Sequence, residues 1–362
     1  MLLNADRANL FQSLETSGVP SEALARLGAM GITTLAELRD HWAYGNRQLI
    51  VEYLGESPVR MVSAAPARML ATRGGAAVAG SGFVNLLDAG KARPLIKRAR
   101  GVLVSAAERA SVAVAPDAIP MTAARRAGGG AATKTVSLIA KCPPIRNQQE
   151  RGTCVAFASV GFLEFHLNAD ATGAVKRFSE QFVYWGCKNE DDMPQTEGTF
   201  VSTARKVLKT RGSCLGKTWK YNPLPIPHNE SQGPPPDGAK KEAEQFVFSA
   251  KTVTAKNSER LREQLDAGQP VVLSVKTFPS WDYPTTSDTG EIPMPIPGDK
   301  SDGGHAICVV GYELNSRFPG GGAFLIRNSW GTAWGKPSGR FQPGYGTLFF
   351  EYIKKYGLEA YA

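Results

Sequence analysis

The stretch Asn147-Gln148-Gln149-Glu150-Arg151-Gly152-Thr153-Cys154-Val155-Ala156-Phe157 decides how the rest of this chain is read. After Cys154 the run Val155 to Phe165 is predominantly apolar and free of proline, which predicts a helix buried on every side rather than a surface helix. Gly152 and Thr153 supply a turn and an N-cap, so Cys154 is expected at the positive end of the helix macrodipole. An ordinary thiol, with a pKa of about 8.5, is mostly protonated at neutral pH, and a helix N-terminus or a nearby imidazolium favours the attacking thiolate. Gln148 lies upstream, where its side-chain N–H and the Cys154 backbone N–H can together hold an oxyanion.

Two downstream motifs supply partners. Gly303-Gly304-His305-Ala306 opens the strand-like run Ala306-Ile307-Cys308-Val309-Val310-Gly311-Tyr312, which places an imidazole at the start of a strand. Arg327-Asn328-Ser329-Trp330-Gly331-Thr332-Ala333-Trp334-Gly335 follows a second strand, Ala323 to Ile326. The Asn328 amide oxygen is expected to accept from one ring nitrogen of His305 while the other faces Cys154. Trp330 and Trp334 would shield that bond from water. A thiol, an imidazole and an orienting amide are the parts of nucleophilic acyl transfer, of which peptide-bond hydrolysis is the commonest form.

The motifs around Gln148, Cys154, His305 and Asn328 resemble those of the papain-like cysteine peptidases, as a divergent, bacterial-type member with an N-terminal extension. Ser179-Glu180-Gln181 resembles the family's segment after the central helix, and Glu197-Gly198-Thr199-Phe200 its glycine-containing strip along the substrate backbone. The resemblance runs from about residue 137 to the C-terminus, with the His far downstream of the Cys as this family has it. It implies Cys154 as nucleophile, His305 as general acid and base, Asn328 as orienting residue and Gln148 as oxyanion donor. It also implies Gly198, Thr199, Gly304 and Trp330 along the substrate, a protein or peptide as substrate, and no metal or other cofactor.

Three positions depart from the family pattern. Arg151 stands where a Cys normally forms a disulfide, Val155 where an aromatic follows the nucleophile, and Gly304 where an acidic or polar residue often precedes the His. Cys142, Cys187, Cys214 and Cys308 read as small buried hydrophobes, and His41, His166 and His228 as structural or exposed.

Length predicts more than one unit, and 42% apolar with 21% charged residues excludes an unfolded polar chain. The N-terminus meets charge within its first residues, without a secretory h-region, and no apolar run reaches membrane length, so no membrane association is expected. Five cysteines do not describe a disulfide framework; a reducing cytoplasm is the default expectation, with export by a non-classical route left open.

Residues 1–58 read as a small all-α module. Ser21 opens one helix, Gly31 breaks it, Thr34 and Glu37 form a capping box for the next, and Asn46 starts a third through Leu54. Leu27 to Leu35 resembles a helix-hairpin-helix turn, a protein- or nucleic-acid-binding device; a bundle on its own core is the preferred reading. Residues 59–135 are rich in Ala, Gly and Arg and hold much of the net charge of +9. They read first as a solvated linker, then as a nucleic-acid or acidic-protein contact. A third reading, implied by the resemblance, is a pro-region covering the cleft, with Arg98 to Arg126 as an accessible cutting region.

Residues 136–362 read as the peptidase domain. Helices near 154–165 and 199–209 precede a strand-rich second half with a helix at Ser258, a strand over Gln269 to Val275 and a closing hairpin over Gly339 to Phe350. The fold class is therefore α+β, which the resemblance specifies as the papain-like two-lobed fold: a helical lobe plus an antiparallel, barrel-like β lobe. Of two proline-rich loops, Asn222 to Pro236 is placed on the surface. Pro279 to Asp302 is placed at the cleft rim, with Trp281, Met294 and Pro295 as candidate substrate contacts. Cysteine peptidase is the expected function. The alternatives are an acyltransferase, ligase or deamidase of the same fold acting on a dedicated partner, as a toxin or effector does, or a non-catalytic binding protein.

Overall fold

An apolar helix ringed by other elements organises the first lobe of this chain. The computed structural model describes residues 21–45, 47, 94–95, 97–105, 108, 134–168, 175–335 and 341–362. In chain order these form α1 (Ser21–Ala29), α2 (Leu35–Tyr44), β1 (Thr135–Ser137), α3 (Cys154–Leu167), α4 (Glu180–Lys188), α5 (Val201–Thr210) and α6 (Ala239–Ala243). There follow β2 (Thr252–Val253), α7 (Ser258–Asp266), β3 (Val271–Thr277), α8 (Pro284–Thr289), β4 (Glu291–Ile292), β5 (Gly303–Leu314), β6 (Gly322–Arg327), β7 (Tyr345–Phe349), α9 (Phe350–Tyr356) and β8 (Gly357–Tyr361). No helix among the described residues is long and apolar enough to cross a membrane.

The run after Cys154 is a helix, and every residue from Cys154 to Phe165 is buried, as its all-round apolarity predicts. With α4 and α5 it forms one apolar core. The largest core lies on a single eight-stranded sheet, ordered β2-β8-β3-β5-β6-β7-β4, with β1 beside β5. All pairs are antiparallel except β4 with β7. The long strand β5 carries His305 opposite Val275 of β3 and reaches β6 from Cys308 onward, so the imidazole strand and the Asn328 strand are direct neighbours.

A buried ion cluster ties the lobes. Arg146 pairs with Glu164 of α3 and Glu180 of α4, both almost wholly buried. Arg327, at the end of β6, donates from Nη2 to the Pro144 oxygen at 2.9 Å, through the gap left by Gly161, whose missing side chain would collide with Nη1. A side chain at 161 would push the two lobes apart.

The structure corrects several expectations. Helices α1 and α2 do form, with the Thr34–Glu37 capping box, but they close no core of their own. Leu27, Met30, Ile32 and Leu38 join the sheet's core, and Gly31 (φ 72°) turns against the Phe349 ring, because the module's apolar face is too small to be buried alone. The turn resembling a nucleic-acid module is thus packed against the sheet lobe. The third helix from Asn46 and the Gly128–Gly130 connector lie outside the described residues.

Of the closing hairpin expected over Gly339 to Phe350, residues 339–340 lie outside the described residues; the rest leads into β7, followed directly by α9 and then β8, which inserts beside β3. Pro279 to Asp302 is not an open loop. It contains a 3-10 turn at Pro279–Asp282, α8 and β4. Trp281, Met294 and Pro295 are buried core residues rather than substrate contacts, Met294 N–H donating to the Met30 oxygen of the helical module at 2.9 Å. In sequence the apolar side chains of that segment resemble a rim because the module that covers them is remote along the chain.

Candidate active site

Cys154 is the first residue of α3, with Thr153 at the N-cap position. The Thr153 side chain does not cap the helix; its hydroxyl lies 2.8 Å from that of Tyr221, which in turn donates to the Gln148 carbonyl at 2.8 Å. The Cys154 Sγ accepts from the Ala306 N–H at 3.4 Å. That contact brings the thiol against β5 one residue beyond His305.

The His305 Nε2 and Asn328 Oδ1 atoms are 2.8 Å apart, and Oδ1 also accepts from the Ser329 N–H at 2.8 Å, which fixes the amide's orientation. His305 Nδ1 makes no hydrogen bond among the described residues. The Trp330 ring stacks on the imidazole with centroids 4.5 Å apart, Trp281 meets it edge-on at 5.6 Å, and Trp334 packs edge-on to Trp330 at 5.7 Å. These rings exclude water from the imidazole–amide bond.

Gln148 is wholly buried. Its Oε1 accepts from the Ser329 hydroxyl at 2.6 Å, so Nε2 must face the other way, towards the cleft. The backbone around it is paired with the strand lobe: Gln148 N–H donates to the Ser329 oxygen and Gly331 N–H to the Arg146 oxygen. The loop of Asn328 therefore positions Gln148 as well as His305. All four expected residues converge.

The cleft is occupied by the chain's own residues 97–105. Thr199 N–H donates to the Gly101 oxygen at 2.9 Å, Leu103 N–H to the Thr199 oxygen at 3.1 Å and Val102 N–H to the Gly304 oxygen at 3.2 Å. Val102 runs parallel to Thr199 and packs in the core of Cys154, Val155 and Ala306. The Ala99 oxygen accepts from Gln148 Nε2 at 3.1 Å and from Trp330 Nε1 at 3.2 Å. Gly198, Thr199, Gly304 and Trp330 thus all touch one peptide, the chain's own strap. A side chain on Gly101 would stand 1.7 Å from the Gly152 oxygen, so only glycine fits. This portion of the basic region is neither a solvated linker nor an accessible cutting site. Arg98 and Arg100 are tied to the cleft wall through Ser287, Asp282 and Asp302.

Burial, to which the strap and the tryptophan rings both contribute, governs the electrostatics. It pushes the Cys154 thiol up to about 12, only partly opposed by the N–H groups of Ala306, Gly101 and its own helix end. It also lowers His305 to about 3, against the pull of the Asn328 hydrogen bond. The covered pair is neutral thiol and neutral imidazole.

Arg151 is almost fully buried and donates to Gln181 Oε1 and the Asn222 carbonyl, each at 2.8 Å, and to the Glu230 carbonyl at 2.9 Å. It ties the Asn222 to Pro236 surface loop to the turn before Cys154, where the family has a disulfide. All five cysteines are free. Ser329, Tyr221, Asp282 and Asp302 were missed in the sequence, and only Ser329, inside the Asn328 motif, carried a local signal. No group of residues with metal-ligand geometry occurs among the described residues.

Comparison with known proteins bears on the family and the fold. Residues 135–348 match the family model described as papain family cysteine protease. An uncharacterised peptidase C1-like protein of Acanthamoeba polyphaga mimivirus is 27% identical over 184 residues, 48% of this chain and 54% of that protein. Cathepsin K of Gallus gallus is 26% identical over 53% of this chain and 52% of its own length. The chain spans about half the length of the curated relatives it matches. Among solved structures, xylellain, a cysteine protease from Xylella fastidiosa, shares the fold with a TM-score of 0.56 at 23% identity, covering 74% of this chain and 97% of that one.

Proposed function

Because the chain belongs to the papain family of cysteine proteases, we propose that it hydrolyses peptide bonds through Cys154, His305 and Asn328, with Gln148 as oxyanion donor, and that residues 97–105 hold it latent. The observation that carries this reading is the His305 Nε2···Asn328 Oδ1 contact at 2.8 Å beside a thiol bonded to the next residue of the same strand. With Nε2 committed to Asn328, Nδ1 is the nitrogen left for the thiol.

Once the strap withdraws, water and substrate dipoles reach the thiol, and the helix N-terminus favours its anion. His305 Nδ1 takes the Cys154 proton, and Sγ attacks the scissile carbonyl carbon. The oxyanion is then held by Gln148 Nε2 and the Cys154 N–H. His305 returns its proton to the departing amine as the C–N bond breaks, leaving an acyl thioester. Water, deprotonated by His305, attacks the thioester carbonyl, and collapse releases the acid and restores the thiol. The docked strap opposes this chemistry by keeping water and substrate from the thiol, although its Gly101 N–H by itself favours the anion.

The test is labelling by an epoxide thiol inhibitor and hydrolysis of a mixed peptide library, using the full chain with Gly101→Val to expel the strap. Cys154→Ala in that background is expected to abolish both. Absence of labelling in the folded, reduced Gly101→Val protein at every pH would remove the enzyme reading. Transfer of the acyl group to an added amine in preference to water would move the reaction to the acyltransferase class.

A further inference from the structure

The two ends of the cleft differ in chemistry. On the Thr199 side the strap's Val102 sits among apolar side chains. On the imidazole side Arg100 bridges two carboxylates from separate elements, Nη2 to Asp282 at 2.8 Å and Nη1 to Asp302 at 2.7 Å. Asp282 is 5% exposed, and its Oδ1 makes no hydrogen bond among the described residues. It follows Trp281, whose ring is wedged between His305, Trp330 and Tyr352, so the carboxylate is fixed relative to the imidazole. Asp302 is fixed from β3, its Oδ1 accepting from Thr277 Oγ1 at 2.9 Å and its N–H donating to the Thr277 oxygen at 3.1 Å. Asp302 is therefore held by a group other than Arg100, while Asp282 is set by the packing of Trp281 beside it and bonded through its carboxylate to the strap.

We propose that Asp282 and Asp302 form a specificity subsite for a basic side chain, arginine above lysine, on the leaving-group side of the scissile bond. The proposal rests on the peptidase reading, and defines the substrate class of that same cleft. His305 must protonate the departing amine, so the leaving half of a substrate lies on the imidazole side of the sulfur. Gly101 covers the sulfur and Arg100 is its neighbour on that side, which sets the reach to the first or second residue after the scissile bond. When the strap withdraws, a nearly buried carboxylate loses its cation, and an incoming guanidinium restores it. Arginine is favoured because two of its nitrogens serve two acceptors at once, whereas an ammonium is a single point charge. The Trp330 face, on which Arg98 lies with its guanidinium 5.4 Å from the ring centroid, extends the same preference outward.

The experiment uses the full chain carrying Gly101→Val and Arg100→Ala, so that the strap neither covers the cleft nor supplies its own arginine. Fluorogenic peptides differing only at the first and second residues after the scissile bond would carry arginine, lysine, citrulline or alanine there. Arginine is expected to exceed citrulline and alanine in kcat/KM by about tenfold or more, with lysine between, as one modest charge pair supports. Adding Asp282→Asn with Asp302→Asn is expected to bring that ratio close to one. Equal rates for arginine and alanine peptides, or a preference that survives both Asn substitutions, would overturn the proposal. Should the double Asn variant not fold, Asp302→Asn alone, at the more exposed partner, is expected to reduce the ratio. In a Cys154→Ala version, anisotropy of labelled arginine and citrulline peptides reads the subsite without catalysis. Arginine-selective binding with no hydrolysis by the Cys154 protein would keep the subsite and remove the peptidase reading. Hydrolysis without arginine preference would do the reverse.

Discussion

Replacing Arg100 by Ala should open the cleft by a predictable factor. The substitution leaves Asp282, whose side chain is 7% exposed, and Asp302, at 33%, without their shared cation. Breaking a buried ion pair costs about 3–5 kcal/mol. Arg100 is itself 13% exposed, and Asp302 is wetted and still bonded to Thr277, so solvent screening reduces the effect to about 2–3 kcal/mol here. At 1.36 kcal/mol per factor of ten, strap docking weakens by about 30- to 150-fold. If opening and closing are fast relative to modification, alkylation of Cys154 by iodoacetamide accelerates by the same factor. The assay follows each cysteine of the full chain by peptide mapping. Cys187, Cys214 and Cys308 are buried elsewhere and report global unfolding, which must stay unchanged. An Arg100→Lys variant should fall between. A Cys154 rate within about twofold of wild type in Arg100→Ala would refute the view that this ion pair holds the strap.

Other expectations probe the scaffold and the site. Asn328→Ala should lower kcat by about 10- to 100-fold with little change in KM once the strap is expelled, since it frees the ring of His305 without touching substrate contacts; a pure KM effect would contradict this. Gly31→Val combines a φ of 72° with a Cβ 2.2 Å from the Phe349 ring, and should release α1 and α2, seen as hydrogen exchange rising in residues 21–45 with a lower Tm. Arg146→Met should cost about 3–5 kcal/mol in urea unfolding, with partial rescue by Glu164→Gln and Glu180→Gln together; no rescue would place the loss in packing instead of charge. Burial lowers both His41 and His305 to about 3, against an unfolded value of about 6.5. Because the folded pKa is depressed, this contribution is complete above pH of about 6.5 and is lost as pH falls towards about 3. His41→Phe should flatten the Tm profile in that window, and parallel profiles would show that His41 is not held neutral.

Much of the site was legible because each of its residues sits inside a local pattern. The all-apolar run after Cys154 fixed a buried helix, the alternation-free run after His305 a buried strand, and Thr34 with Glu37 a helix start, all of which the backbone follows. These are short-range consequences of hydrogen bonding and hydrophobic periodicity. The hairpin expected over Gly339 to Phe350 failed for a different reason. Phe349, Phe350 and Tyr352 are apolar enough for a strand, and the short helix α9 wins because its buried face packs against the sheet.

Chemical identity, then, was written in the linear order of Gln148, Cys154, His305 and Asn328, since a nucleophile, its base and its orienter must be of those types wherever they fold. Their protonation was not. The neutral thiol and imidazole follow from burial to which a strap some fifty residues upstream of Cys154 contributes, and its Arg, Ala and Gly composition reads as linker because the backbone hydrogen bonds of Gly101, Val102 and Leu103 are made to distant partners. The acidic recess of Asp282 and Asp302 has the same origin: two carboxylates separated along the chain become one site only when β3, β5 and the turn at Trp281 pack together. Burial and long-range pairing are properties of the assembled fold, and it is they that set charge, access and preference in this cleft.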